Sequence, residues 1–116
     1  MPKTPLVLEC RSINGKSIRL TDRVWREKIQ KDHPEFSGNE EYRNEVRRAI
    51  ESPEYVVAGW SGELLALIYS ELAPESPKYL CVIYRELNGD GFVITTFFIS
   101  KPQKLLRRGI IWSRPK

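Results

Sequence analysis

His33 is the one histidine of this chain, and the one side chain whose ordinary pKa, about 6.5, lies close to neutrality. It sits in the stretch KDHPE (31–35), where Pro34 pushes the residue before it out of helical geometry. Two readings stand side by side. An imidazole fixed at a closed helix end can act as a general base. A histidine beyond a last turn can also serve as a C-terminal cap that complements the helix dipole. Asp32 and Glu35 flank the ring and are placed to tune it in either case.

A second group of candidates lies near the C-terminus. Thr95 and Thr96 are neighbouring hydroxyls in the otherwise apolar run FVITTFFI (92–99), and successive strand residues point to opposite faces. One of the pair must therefore face whichever side the helices leave uncovered. Ser100 and Lys101 follow where that strand should end. Beyond them Lys104, Arg107 and Arg108 surround a Leu105–Leu106 pair, and Trp112 stands just before Arg114. Cations interleaved with an aromatic suit phosphate contacts beside a stacked base.

The charge distribution agrees with that second group. The chain has 116 residues, 19 Lys and Arg against 15 Asp and Glu, and a net charge of +4. Residues 99–116 hold six of the cations and no acid, so the rest of the chain carries a small acidic excess. Such a basic end favours a polyanionic partner, because each neutralised phosphate releases counterions. Leu105, Leu106, Ile110, Ile111 and Trp112 distinguish it from a solvated tail.

Other chemistries are excluded by what the sequence lacks. There is no GxGxxG or GxxxxGK[ST] loop, no HExxH and no paired-cysteine motif. Cys10 and Cys81 fall inside strand patterns and read as small buried hydrophobes in a reducing compartment. With one histidine they cannot complete a four-ligand zinc site, so neither metal nor cofactor is expected. No apolar run approaches the roughly 20 residues of a membrane helix, and the N-terminus does not fit a signal peptide. The expectation is a single cytoplasmic domain spanning 1–116, with no membrane partner.

The elements that must position these residues follow from periodicity. Leu6–Arg11 and Lys16–Leu20 flank Asn14-Gly15, a strong hairpin signal. Thr21 caps a helix expected over Asp22–Asp32, with Val24, Trp25 and Ile29 on its apolar side. A second helix is expected over Asn39–Glu51, with Asn39 as cap and Tyr42, Val46, Ala49 and Ile50 facing inward. Strands follow at Tyr55–Trp60, Glu63–Glu71, Tyr79–Leu87 and Phe92–Ser100, with Ala73–Lys78 as a loop. The expected fold is α+β: an N-terminal β-hairpin and two helices packed on a four-stranded antiparallel sheet. Its other face forms a shallow groove rimmed by the basic C-terminal segment, 99–116.

The stretches IRLTDRVWREKIQKDHPEF (18–36), IESPEYV (50–56), GFVITTFFISKP (91–102) and the closing IIW (110–112) together resemble the barnase, EndoU, colicin and RelE-like (BECR) nuclease superfamily. The resemblance covers about residues 16–114. It implies the α+β fold just described and metal-independent endoribonuclease activity in a toxin-like or phage-conflict setting. It also implies RNA as partner, association with the ribosome, and an antitoxin protein. By the motif positions, His33, Thr95 and Lys101 would be the catalytic residues, with Lys104, Arg107, Arg108 and Trp112 as RNA contacts. His33 would take the 2′-OH proton, Thr95 would donate a hydrogen bond, and Lys101 would steady the charged phosphorane on the way to a 2′,3′-cyclic phosphate. The alternative is a non-catalytic RNA-binding or toxin–antitoxin regulatory module. The chain departs from the pattern at Phe98–Ser100, where relatives are more polar, and it has no second histidine.

Overall fold

A computed structural model describes residues 5–37, 40–73 and 78–115. Seven strands form one mixed sheet: β1 (Leu6–Arg11), β2 (Ser17–Thr21), β3 (Tyr55–Ala58), β4 (Leu64–Ser70), β5 (Lys78–Arg85), β6 (Gly91–Ile99) and β7 (Ile110–Ser113). Their order is β1-β2-β6-β5-β4-β3-β7. The fold is α+β, but the sheet does not stop at four antiparallel strands. β3 to β6 pair as successive antiparallel neighbours. The N-terminal hairpin, expected to pack with the helices, instead extends the sheet: β2 runs parallel to β6, with Ile18 beside Gly91 and Arg19 beside Phe92.

Glycine at 91 makes that junction close. A Cβ there would lie 2.5 Å from Ile18 Cδ1 and 2.8 Å from the carbonyl oxygens of Ser17 and Arg85. At the far edge, β7 pairs antiparallel with β3. The alternation of the hairpin and meander strands identified those six. The seventh was hidden in a segment whose charge suggested a rim.

Four helical segments carry the remaining structure among the described residues. Helix α1 is continuous over 22–32, with Asp22–Val24 and Gln30–Asp32 in α-geometry around a wide π-turn at Trp25–Ile29. The Thr21 side chain accepts a hydrogen bond from the Val24 N–H, as an N-cap should. A single 3₁₀ turn, Pro34–Phe36, follows. Helix α2 spans Glu41–Glu51 and buries Tyr42, Val46, Ala49 and Ile50. Helix α3 is one turn, Gln103–Leu106. The cap expected at Asn39, and the Ala73–Lys78 loop except for its two ends, lie outside the described residues.

The sheet has two apolar faces. Trp25 and Ile29 of α1, Phe36, and the inward residues of α2 cover one, meeting Leu8, Ile18, Leu20, Ala66, Leu80, Val82, Tyr84 and Val93. The other face gathers Val57, Leu65, Leu67, Cys81 and Ile83, with Phe97, Ile99, Leu105 and Leu106 packed against them. Its cover is the segment 100–109, which leaves β6 beyond Ile99 and crosses β5, β4 and β3 to reach β7. No helix among the described residues is long and apolar enough to cross a membrane.

Candidate nucleic-acid interface

The crossing segment is a basic strap. Leu105 and Leu106 turn toward the sheet, while Lys101, Lys104, Arg107 and Arg108 are exposed. Burying two leucines anchors the strap at about 1.5–3 kcal/mol each when burial is complete, less here because both are half-buried. Lys101, Lys104 and Arg107 make no ion pair with a described residue. Three cations are thus raised on the face opposite the helices, where the sequence suggested a rim at the border.

Arg108 is committed differently. Its Nε donates to the Ala58 carbonyl at 3.1 Å, and its guanidinium lies 4.2 Å from the centre of the Trp60 ring. Trp112 stands opposite fully buried Val56. Directly paired residues share a face, and Val56 pairs with Ala66 of the helix-side core. Trp112 therefore lies on the helix side, apart from Lys104 and Arg107. Trp60, which the sequence reading passed over, is the exposed tryptophan, 62% accessible. A large aromatic directly before the Ser61-Gly62 turn was the signal that could have marked it.

His33 reaches this face over an edge. β2 pairs with β6 only beside Gly91 and Phe92, and α1 packs against β6. The His33 N–H donates to the Ile29 carbonyl at 2.8 Å, and the His33 carbonyl accepts from the Phe36 N–H at 3.1 Å. The backbone is thus held on both sides of the ring. The imidazole lies 6.1 Å from the Phe97 ring and 6.3 Å, edge-on, from the Phe36 ring. Among the described residues nothing hydrogen-bonds it, and it is half-buried.

Thr95 and Thr96 divide as alternation requires. Thr96 is fully buried opposite Val82, on the helix side, and its hydroxyl donates to the Cys81 carbonyl at 2.8 Å. Thr95 pairs with Ile83 on the strap side. It shares that face with Phe97, about 7 Å along the strand. Lys101 lies four residues beyond Phe97, just past the strand end. Phe97 therefore links the His33 margin, the Thr95 hydroxyl and the root of the strap along one strand.

Two large hollows among the described residues contain none of these residues. One, of about 610 Å³, is lined by Glu41, Glu45, Glu54 and Glu71 with Arg48 as its cation, a charge balance that repels phosphate. Another, of about 560 Å³, opens beside Leu6 and Phe92. Its Arg19 is already held by Glu9 at 2.8 Å and Asp90 at 2.9 Å. The cysteines offer no nucleophile. Burial pushes the Cys10 thiol up to about 11 and the Cys81 thiol up to about 12, so neither forms thiolate near neutrality. No group of three metal-ligating side chains converges among the described residues. No family model, curated protein or solved structure matches the chain.

Proposed function

We propose that the protein engages RNA across its strap-bearing sheet face and cleaves it as a metal-independent endoribonuclease, with His33 as base. The observation that carries this reading is the His33–Phe97 contact. It sets the lone imidazole at the margin of the face that bears Thr95 and ends at Lys101. RNA supplies its own nucleophile. His33 takes the proton of a 2′-OH as that oxygen attacks the adjacent phosphorus. Lys101, with Lys104 and Arg107 further along the strap, offsets charge on the non-bridging oxygens, and Thr95 donates a hydrogen bond. The bond to the 5′-oxygen breaks, that oxygen takes a proton from water, and a 2′,3′-cyclic phosphate and a 5′-hydroxyl remain. With no second imidazole as acid, the reaction is expected to be slow on free RNA and faster where a ribosome supplies the missing group. A toxin-like role with a protein antitoxin belongs to the same reading and rests on the motif resemblance.

One observation favours a second reading. No described group hydrogen-bonds the imidazole to fix its tautomer, while Lys101, Lys104 and Arg107 stand on the strap with no ion-pair partner among the described residues. In that case the protein binds RNA without cutting it. Purified wild type and His33→Ala, incubated with RNA and ribosomes in excess chelator, separate the two. Cleavage by wild type alone supports the nuclease. Binding by both without cleavage supports the module.

A further inference from the structure

The two edges of the sheet are treated differently. At β1, Arg47 of α2 donates to the Glu9 carbonyl at 3.2 Å, and Glu9 and Arg11 put charge on the strand itself. Both are devices that keep a sheet edge from recruiting another strand. At β7 neither is present among the described residues. Its sequence is IIWS, with no charge. The Arg114 N–H points inward to the Glu54 carbonyl at 2.9 Å, so by antiparallel alternation Ser113 turns its own N–H and C=O to the open side.

The same edge concentrates exposed apolar surface. Trp60, Ile111 and Ile110 are the three most exposed large hydrophobics described, at 62%, 55% and 49%. Arg108 joins Trp60 to the start of β7, and Arg114 follows its end. No acid lies anywhere in 99–116. A second copy of this chain pairing antiparallel here would set Arg114 against Arg108, and like charges oppose that.

We infer that β7 is a docking edge for an extended acidic segment of a partner protein, which adds as an eighth strand. Its backbone would pair with Ser113, its apolar residues would cover Ile110, Ile111 and Trp60, and its carboxylates would meet Arg108 and Arg114. The site uses Arg108 and Arg114 rather than Lys101, Lys104 and Arg107, and does not depend on any cleavage by His33.

The test uses the full ¹⁵N-labelled chain and three six-residue peptides. One alternates glutamate with valine, one alternates lysine with valine, and one is the glutamate peptide with its valine amides N-methylated. The glutamate peptide is expected to shift the amide resonances of 110–113 and to bind about ten-fold tighter than either other. Ile111→Lys, at an exposed position, should weaken it about ten-fold with an unchanged circular dichroism spectrum. Absence of binding at millimolar peptide, equal binding of the lysine or N-methylated peptide, or shifts confined to other strands would each overturn the inference. So would a dimer that Ile111→Lys breaks, which would assign the edge to a second copy.

Discussion

The ring of His33 lies 6.1 Å from the ring of Phe97, so the end of a helix touches a residue of the sheet face that the helices do not cover. That contact exists because β2 leaves β6 after two residue pairs. α1 packs against β6, and His33, the residue just past its last turn, meets Phe97. If β2 had continued beside β6, the imidazole would have been walled off from Thr95 and from the strap.

The strap cations set the ionic character of binding. Replacing Lys101, Lys104 and Arg107 together by alanine should weaken binding of single-stranded RNA. It should also lower the slope of log affinity against log salt by about 2, since each phosphate contact on a single strand contributes roughly 0.7. Titrations at several salt concentrations measure this. Trp112→Phe, on the helix side, should leave that slope unchanged.

The support beneath His33 is aromatic. Phe36 is 1% exposed and stacks parallel on Phe98 at 5.2 Å, with edge contacts to Tyr42 at 5.3 Å and Trp25 at 5.9 Å. Phe36→Ala should cost about 3–5 kcal/mol in denaturant unfolding. Gly91→Ala, which crowds the β2–β6 junction, should cost about 1–3 kcal/mol. A Phe36→Ala cost below about 1 kcal/mol would mean the ring does not hold the helix end.

Acid should weaken the α2–β4 contact. Burial raises the Glu45 pKa, but hydrogen bonds from Arg48 and from Ser70, together with the Arg48 charge, outweigh it and hold the carboxyl below its usual range. A carboxylate lowered in the folded state contributes stability above its unfolded pKa, about 4.3, and loses it as pH falls through the folded value. Stability should therefore fall on acidification below about pH 5, and Glu45→Gln should flatten that fall. Equal slopes for both proteins would remove Glu45 from the acid response.

Much of the scaffold was legible because its signals are local. The Asn14-Gly15 turn, the Thr21 cap, the α2 periodicity and the stop at Pro34 each depend on neighbours in sequence. The seven-strand sheet was not legible. The parallel pairing of β2 with β6 depends on Gly91 meeting Ile18 across a long separation, and the β7–β3 pairing depends on Ile110–Ser113 meeting Tyr55–Val57. The basic segment was visible by charge, yet its Leu105–Leu106 anchor, which carries it over the sheet, needed the second apolar face to be known. Thr95 and Thr96 were separable in principle, but only the placement of the helices decides which one faces the strap. Arg108 and Trp112 looked like equals of Lys104 and Arg107. Contacts with Trp60 and pairing opposite Val56 set them apart.

The central claim is that the His33 imidazole acts as a base on RNA. The most direct measurement is the cleavage of RNA, with ribosomes present and excess chelator, by wild type and His33→Ala of matched folded content. The account predicts cleavage by wild type alone, leaving 2′,3′-cyclic phosphate ends, while the variant still binds RNA. Equal cleavage by both proteins, or none by either, would contradict it and return His33 to a helix-end residue packed between Phe36 and Phe97.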